Sequence, residues 1–214
     1  TSGPGFSLMT EGMGLAVASE TPVLVVNVMR GGPSTGIPTK SEQTDLNQVL
    51  YGLHGEAPHV VVAPLSIRDS VVCSQWATGL AEALQTLVVE VSDQRIGQSR
   101  AILDPIELTD LQLTRQIAQP TKNDYQRYAP TSSGISPMGI PGEPELLYTA
   151  DGLEHSPSGL PSSMAVDNQQ QLEKRDHKLN QFDYGDRWAE IESVESLETA
   201  QVIVITWGSS FSVC

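Results

Sequence analysis

The chain has 214 residues, of which 26 are Asp or Glu and 12 are Lys or Arg, so its formal charge at pH 7 is -14. This charge argues against a nucleic-acid partner, because contacts to phosphate groups need a basic surface. The two cysteines, Cys73 and Cys214, are too few for a disulfide framework, a structural zinc site or a four-cysteine iron-sulfur cluster. We therefore expect a protein of the reducing cytoplasm.

Neither a membrane segment nor a signal peptide is predicted. No apolar run approaches the roughly 20 residues of a membrane-spanning helix, and the first residues lack a charged region followed by an apolar one. The sequence begins with Thr1 rather than Met, and its residues 1–5, TSGPG, predict a turn. At the other end a strand-like run at 201–207 is followed by a turn of small residues, after which the sequence stops. We interpret the chain as a fragment cut at both ends.

Alternating segments predict an α/β fold. Short, Val-rich runs are typical of strands buried on both faces of a parallel sheet. These runs are residues 23–29, 59–64, 87–91 and 202–206. Helical spacing of apolar residues lies between them, at 7–18, 43–53 and 69–84. This order predicts right-handed crossovers, with ligands bound beyond the carboxyl ends of the strands.

The later part of the chain has a different texture. Residues 119–163 are rich in Pro, Gly and Ser and too long for an ordinary connection, so they are either a linker or a functional excursion. A polar helix is predicted at 167–181, and its run EKRDHK is interpreted as a solvated face. The predicted organisation is a first α/β domain at 1–118, the linker and polar helix at 119–185, and the truncated start of a second α/β domain at 186–214.

A candidate anion site lies where the first predicted strand ends, in the sequence VVNVMRGGPSTGIPT. Arg30 stands at the junction between strand and loop. A guanidinium binds a carboxylate through two parallel hydrogen bonds, and Gly-rich backbone can donate more. The hydroxyls of Ser34, Thr35 and Thr39 add further donors. The functional interpretation of this loop is therefore an anion-binding site.

A structural interpretation of the same loop stays open at this point. Arg30 could pair with a nearby acid, such as Glu56 or Asp45, while the glycines only form turns. Ion pairs that stabilise a fold imitate binding sites in a sequence, so the residues alone do not separate the two interpretations.

A nucleoside triphosphate site is a poor match for this loop. The glycines at 31 and 36 satisfy the first half of the P-loop pattern. Ile and Pro then occupy the positions, 37 and 38, where that motif needs Lys and Ser or Thr. The cation that binds the phosphates and the hydroxyl that binds magnesium are therefore missing.

Several blocks of the sequence resemble, in order, the alpha subunit of 2-oxoglutarate:ferredoxin oxidoreductase, within the 2-oxoacid:ferredoxin oxidoreductase family. They extend over about 200 residues, which makes the ordered set far more specific than any one block. The blocks are TSGPGFSLMTEGMGLA, VVNVMRGGPSTGIPT, DLNQVLYGLHGEAPHVVVAPLS, RYAPTSSGISPMGIPG and GLEHSPSG.

The resemblance implies a fold and a reaction. The fold would be a thiamine-diphosphate-binding domain of the pyrimidine type, followed by the start of a domain of the transketolase C-terminal type. Such enzymes decarboxylate a 2-oxoacid on thiamine diphosphate with Mg2+, pass electrons through an iron-sulfur cluster to ferredoxin, and transfer the acyl group to coenzyme A. The cluster and most of the diphosphate and Mg2+ site would belong to a partner beta subunit.

The resemblance also assigns site residues. The arginine before GGPSTG and the threonine of the following PT would recognise the 2-oxoacid end of the substrate, and these match Arg30 and Thr39. Thr1, Ser2 and Gly3 match a loop that approaches the aminopyrimidine side of the cofactor. The glutamate that activates the aminopyrimidine would precede the chain, and Glu11 is not expected to replace it. This chain alone is therefore expected to hold no catalytic residue.

Two hypotheses from different classes remain. The first is an enzyme subunit that selects a 2-oxoacid. The pattern GPSTGIPT favours 2-oxoglutarate, whose second carboxylate Lys40 could bind. The second is a noncatalytic α/β module that kept the fold for assembly. No metal site is expected, since His54, His59 and His155 lack further ligands at suitable spacing. Cys73 is expected to be a buried small residue.

Overall fold

The computed structural model describes residues 1–107, 113–120, 125–192 and 199–213. Within this part of the chain, strand β1 (Val23–Met29), strand β2 (Val60–Val62) and strand β3 (Leu87–Asp93) form one parallel sheet. Its order is β1-β3-β2, so β3 lies in the middle and is buried along its whole length. The predicted parallel sheet is confirmed. Cys214 lies outside the described residues.

Six α-helices surround or extend this sheet in the described residues. The helices are α1 (Gly3–Leu8), α2 (Thr10–Ala18), α3 (Leu46–Tyr51), α4 (Ile67–Leu84), α5 (Gln94–Gln98) and α6 (Ala165–Asn180). Helix α4 begins where Ser66 accepts a hydrogen bond from the backbone N–H of Asp69, at 3.1 Å. A side-chain oxygen at this position satisfies one of the N–H groups that a helix start leaves free.

The first predicted helix differs from the structure in its start and its continuity. The turn expected at the beginning of the chain is wrong, because Gly3 already belongs to α1. Pro4 is tolerated there because the first turn of a helix does not need its N–H group. The single helix expected at 7–18 is divided at Met9 into α1 and α2.

The two faces of β3 pack against different helices. One face contributes Leu87, Val89 and Val91 to a core cluster with Phe6 and Met13 of the first two helices. The opposite face contributes Val88 to a second cluster that includes side chains of α4 such as Leu80 and Leu84. The alternation follows from the two-residue period of a strand, and burial on both faces explains the continuous apolar run.

The strand expected at residues 202–206 is wrong in the structure. This segment pairs with no strand among the described residues, and the side chains of Val202, Ile203, Val204 and Ile205 are exposed. An apolar run forms a strand only where a neighbour can take its backbone hydrogen bonds. Trp207 packs against the first core cluster and is followed by a short 3-10 helix, Gly208–Val213. The second domain stays a prediction.

The predicted polar helix exists as α6, and the solvated face expected for its run EKRDHK is confirmed for Glu173, Asp176 and His177 but wrong for the three cations. Lys174, Arg175 and Lys178 are almost fully buried. Lys174 Nζ lies 2.8 Å from Glu20 Oε1, and Lys178 Nζ lies 3.7 Å from Glu20 Oε2. Long side chains with charged ends are buried in this way only where a partner compensates the lost hydration.

Arg127 completes this group, which we call the Glu20 cluster: Glu20, Arg127, Lys174 and Lys178. Arg127 donates a hydrogen bond from Nη2 to the backbone oxygen of Glu20 at 2.8 Å, and its Nη1 lies 3.5 Å from Glu20 Oε2. Burial opposes ionisation of Glu20, but the three cations outweigh it and lower its pKa to about 2. The cluster thus connects residues 125–180 to the amino ends of β1 and β3.

No helix in the described part of the chain is both long and apolar enough to span a membrane. The boundary expected at residue 118 stays a prediction. The described residues that follow it are packed rather than extended, since Tyr128 and His155 are buried and their rings stack with centroids 4.3 Å apart.

Candidate functional site

The loop at 30–40 follows β1 directly and therefore lies at the carboxyl end of the sheet. Gly31 donates to the backbone oxygen of Lys40 at 3.1 Å, and Ile37 donates to the backbone oxygen of Gly31 at 2.9 Å. Gly36 has a φ of +59, and a Cβ placed there would lie 2.0 Å from the Gly31 oxygen. Only glycine fits that position, so the loop depends on it to close.

A cavity of about 520 Å3 opens between this loop and the start of α1. Three of the residues that the sequence singled out line it: Arg30, Ser34 and Gly3. Thr35 and Thr39 lie on the same loop but not in the wall of the cavity, and the same holds for Thr1 and Ser2 beside α1. The remaining lining residues are Pro4, Ser7, Gly31, Gly32, Pro33, Glu42, Thr44, Asp45 and Gln48.

Arg30 is a half-buried cation, and no acidic side chain among the described residues forms an ion pair with it. Its Nε is buried and has no hydrogen-bond partner among the described residues. No ion pair joins Arg30 to Asp45 or to Glu56, the two acids considered as its structural partners. A guanidinium in this state can accept a carboxylate ligand, because its donors are not already used.

Two carboxylates also face the cavity: that of Glu42, which the sequence did not indicate, and that of Asp45, which was expected only as an ion-pair partner of Arg30. Glu42 Oε2 accepts a hydrogen bond from the backbone N–H of Gly32 at 3.1 Å. Asp45 lies against Gly3, where an added Cβ would approach the Asp45 carboxylate to 2.8 Å. One guanidinium and two carboxylates therefore line the same space. No local sequence motif predicts the Glu42 contact, because its two partners are ten residues apart in the sequence.

Backbone strain is concentrated in this loop. Ser34 has a φ of 58 and Thr39 a φ of 62, both in the left-handed region. For a β-branched residue such as Thr39 this conformation is a genuine outlier and costs on the order of 1–3 kcal/mol. Such strain persists only where surrounding contacts enforce it, and it is typical of ligand-binding loops.

The residues expected near the cofactor lie beside β1. The backbone oxygen of Thr1 accepts from Val28 N at 2.7 Å, so Thr1 runs along the open edge of that strand. Ser2 precedes α1 and makes no side-chain hydrogen bond to its first turn. Gly3 alone reaches the cavity, and its missing side chain leaves room that Asp45 occupies.

A second polar contact network at the carboxyl end of the sheet was not expected from the sequence. Asp93, the last residue of β3, accepts from Gln43 Nε2 at 3.0 Å and from Ser209 Oγ at 2.5 Å. Ser210 Oγ donates to Gln43 Oε1 at 2.8 Å. These contacts position Gln43, which immediately follows Glu42, and connect the candidate site to residues 208–213.

Other candidate residues have structural roles. The described residues contain no group of three or more His, Cys, Asp or Glu side chains that could hold a metal ion. Cys73 is buried as expected, and burial together with the charge of Glu90 raises its pKa to about 12. A thiol in this state is not a nucleophile at neutral pH. His59 lies between the backbone oxygens of Ala57 and Val49, at 2.8 and 2.9 Å.

The fold and this site define an α/β domain with a Gly-rich, arginine-containing loop at the carboxyl ends of parallel strands. Residues 1–175 match the family model described as pyruvate flavodoxin/ferredoxin oxidoreductase, thiamine diP-bdg. The chain belongs to this family, which confirms the resemblance found in the sequence.

Similar proteins carry related names. The chain is 35% identical over 212 residues to 2-oxoacid:ferredoxin oxidoreductase 1, subunit alpha, of Sulfurisphaera tokodaii, covering 98% of this chain and 34% of that protein. It is 36% identical over 217 residues to the 2-oxoglutarate oxidoreductase subunit KorA of Mycobacterium tuberculosis, covering 99% of this chain and 32% of that protein. The chain thus spans about a third of the length of these relatives.

A solved structure supports the fold directly. The chain superposes on the 2-oxoglutarate:ferredoxin oxidoreductase from Magnetococcus marinus, a structure with 2-oxoglutarate, coenzyme A and succinyl-CoA bound, with a TM-score of 0.76. The two are 37% identical, and the match covers 84% of this chain and 31% of the other. At this identity the likeness extends beyond fold class to the family itself.

Proposed function

We propose that this chain is part of the alpha subunit of a 2-oxoacid:ferredoxin oxidoreductase and that its cavity binds the carboxylate of the 2-oxoacid. The observation that carries the proposal is Arg30, a half-buried guanidinium with no described partner, which faces a cavity at the carboxyl end of β1. Family membership and the names of the relatives support the reaction.

Arg30 would hold the substrate by two parallel hydrogen bonds to its carboxylate. Ser34 lies in the wall of the same cavity and would donate its hydroxyl, while Gly36 keeps the loop closed behind them. Thr35 and the strained Thr39 would act from the rim of the loop. Together these residues would orient the keto carbon, since a bound substrate reacts faster when its geometry is fixed.

Thiamine diphosphate with Mg2+ would supply the nucleophilic carbon and accept the electron pair released by decarboxylation. Of the residues expected near it, Gly3 fits best, because it lines the cavity that Arg30 enters. Thr1 and Ser2 would support the position of Gly3 from the edge of β1. A partner beta subunit would hold most of the diphosphate and Mg2+ site and the iron-sulfur cluster, with coenzyme A and ferredoxin as co-substrates.

We propose 2-oxoglutarate as the substrate. Support comes from relatives named as 2-oxoglutarate oxidoreductase or synthase subunits and from the similar structure that has 2-oxoglutarate bound. Its second carboxylate needs another donor. Lys40 is exposed and does not line the cavity, so its contact with that carboxylate stays a prediction.

The test uses the assembled enzyme with the full-length subunit and a viologen acceptor. Arg30→Ala should raise KM for 2-oxoglutarate by about 10- to 100-fold, because hydrogen bonds to a charged group contribute about 1.5–3 kcal/mol. Arg68→Ala, at an exposed arginine outside the cavity, is the matched control and should leave KM unchanged. An unchanged KM in Arg30→Ala would refute the substrate site. Stable assembly of the wild-type subunits without any turnover would favour the noncatalytic module.

A further inference from the structure

We propose that Glu42 is an internal carboxylate that occupies part of the 2-oxoacid site and moves out when the substrate binds. Its Oε2 accepts the backbone N–H of Gly32, two residues after Arg30, at 3.1 Å. A Cβ placed on Gly31 would lie 3.2 Å from the same oxygen. The Glu42 carboxylate thus lies at the base of the loop and uses a donor that an anionic ligand would need.

The charges in the cavity require this movement. Its wall contains one guanidinium, that of Arg30, and two carboxylates, those of Glu42 and Asp45. A 2-oxoacid adds at least one more negative charge, and like charges about 4 Å apart disfavour binding even in water. Anion binding is therefore opposed unless one of the two carboxylates leaves.

Glu42 is the carboxylate that can leave at little cost. Its side chain is exposed, and among the described residues its only hydrogen bond is the one that it accepts from Gly32. Asp45, in contrast, is half-buried at the start of α3, next to Gly3 and 3.5 Å from Asn27 Nδ2. When Glu42 turns into solvent, the Gly32 N–H becomes free for the substrate carboxylate beside Arg30.

This role makes Glu42 a specificity-determining residue for charge, and the inference rests on the proposed function of the loop. An anion that interacts strongly with Arg30 can displace Glu42, whereas a weakly interacting one cannot. Displacing the Glu42 carboxylate thus costs part of the free energy that a ligand gains by binding to Arg30. With a neutral residue at this position, that cost would be smaller for every 2-oxoacid.

The experiment compares Glu42→Gln with the wild type in the assembled enzyme containing the full-length subunit. Gln keeps the shape of the side chain and can still accept from Gly32, but it carries no charge. We expect KM for 2-oxoglutarate to fall about five-fold with kcat unchanged, the factor that corresponds to removing one like charge about 4 Å away in water. The difference in KM should shrink at high ionic strength, because salt screens the repulsion.

Glu56→Gln is the matched control, since Glu56 is an exposed acid outside the cavity, and it should leave KM unchanged. A KM in Glu42→Gln that is equal to or higher than that of the wild type would overturn the inference and make Glu42 a support of the loop. Loss of folded enzyme would overturn it too, because a displaceable side chain cannot be required for folding. Arg30→Ala distinguishes the proposed substrate site from the inference about Glu42. If Arg30→Ala raises KM and Glu42→Gln does not lower it, the substrate site stands and only the inference about Glu42 fails.

Discussion

Cations occupy two contrasting environments at opposite ends of the parallel sheet. Beyond the carboxyl end of β1, Arg30 faces a cavity and has no described partner. Near the amino ends, the Glu20 cluster buries three cations around one carboxylate. A cation that binds a ligand is therefore recognised by free donors next to open space, whereas the donors of a structural cation are already used by the fold.

Removing the charge of Glu20 should lower the unfolding free energy more than any other change considered for this chain. Glu20→Gln leaves Arg127, Lys174 and Lys178 buried without a counter-ion, and removing one partner of a buried ion pair costs about 3–5 kcal/mol of unfolding free energy. Glu82→Gln is the matched control, because Glu82 pairs with Arg115 at 2.8 Å in a much more exposed position and should cost at most about 1 kcal/mol. Urea denaturation of the full-length subunit measures both. Equal losses of unfolding free energy in the two variants would show that the Glu20 cluster stabilises the fold no more than an exposed ion pair.

The pH dependence of stability separates the same two regions. Because the cluster lowers the pKa of Glu20 from 4.5 to about 2, the folded state holds fewer protons than the unfolded state between these values. Its stabilising contribution is therefore complete above pH 4.5 and is lost as the pH falls toward 2. Denaturation at a series of pH values should show this loss in the wild type and in Arg30→Ala. The slope should be shallower in Glu20→Gln, and an identical slope would contradict the assignment.

A change in the loop should weaken substrate binding as well as lower the stability of the fold. Gly36→Ala forces a Cβ to within 2.0 Å of the Gly31 oxygen and places alanine at a φ of +59. We expect KM to rise at least ten-fold, since the loop cannot close, while the unfolding free energy falls by about 1–2 kcal/mol. Gly12→Ala is the control, because a Cβ on this exposed residue of α2 meets nothing within 4 Å. It should stabilise the helix by about 0.5–1 kcal/mol and leave KM unchanged.

The smallest expected effect concerns Thr39. Thr39→Gly removes a β-branched side chain from a φ of 62 and should relieve about 1 kcal/mol of strain, which raises the unfolding free energy. If the hydroxyl also contacts the substrate, KM should rise several-fold in the same variant. Thr35→Gly, on the same loop, provides the comparison without the strain. A stabilised variant with normal KM would make Thr39 a structural residue of the loop.

The sequence predicts local features of this protein better than distant contacts. Strands β1 and β3 and the position of Arg30 follow from short patterns, since an apolar run and the loop after it are contiguous. The run at 202–206 shows the limit, because the same apolar character gives no strand where no neighbour pairs with it. Patterns describe a segment, whereas pairing needs a second segment.

Long-range contacts explain the other differences. Lys174 and Lys178 have the sequence context of a solvated helix. Their burial is favourable because both face Glu20, 154 residues before Lys174, and because Lys178 also donates to the backbone oxygen of Gln85 at 3.1 Å. The carboxylate contacts in the Arg30 cavity were not predicted for the same reason. Glu42 accepts from Gly32 across the closed loop, and Asp45, expected only as an ion-pair partner of Arg30, lies against Gly3 from the start of another helix. No spacing rule encodes such approaches, so they appear only when the chain is folded.

The proposed contact between Arg30 and the substrate carboxylate is tested most directly by changing both partners, the side chain in the enzyme and the charge on the ligand. The inhibition constants of an unreactive 2-oxoacid analogue and of its ester, in which the carboxylate next to the keto group is neutral, are measured with wild-type enzyme and with Arg30→Ala. The wild type should bind the acid at least ten-fold more tightly than the ester, and Arg30→Ala should bind both equally weakly. The same preference for the acid in both enzymes would contradict the account.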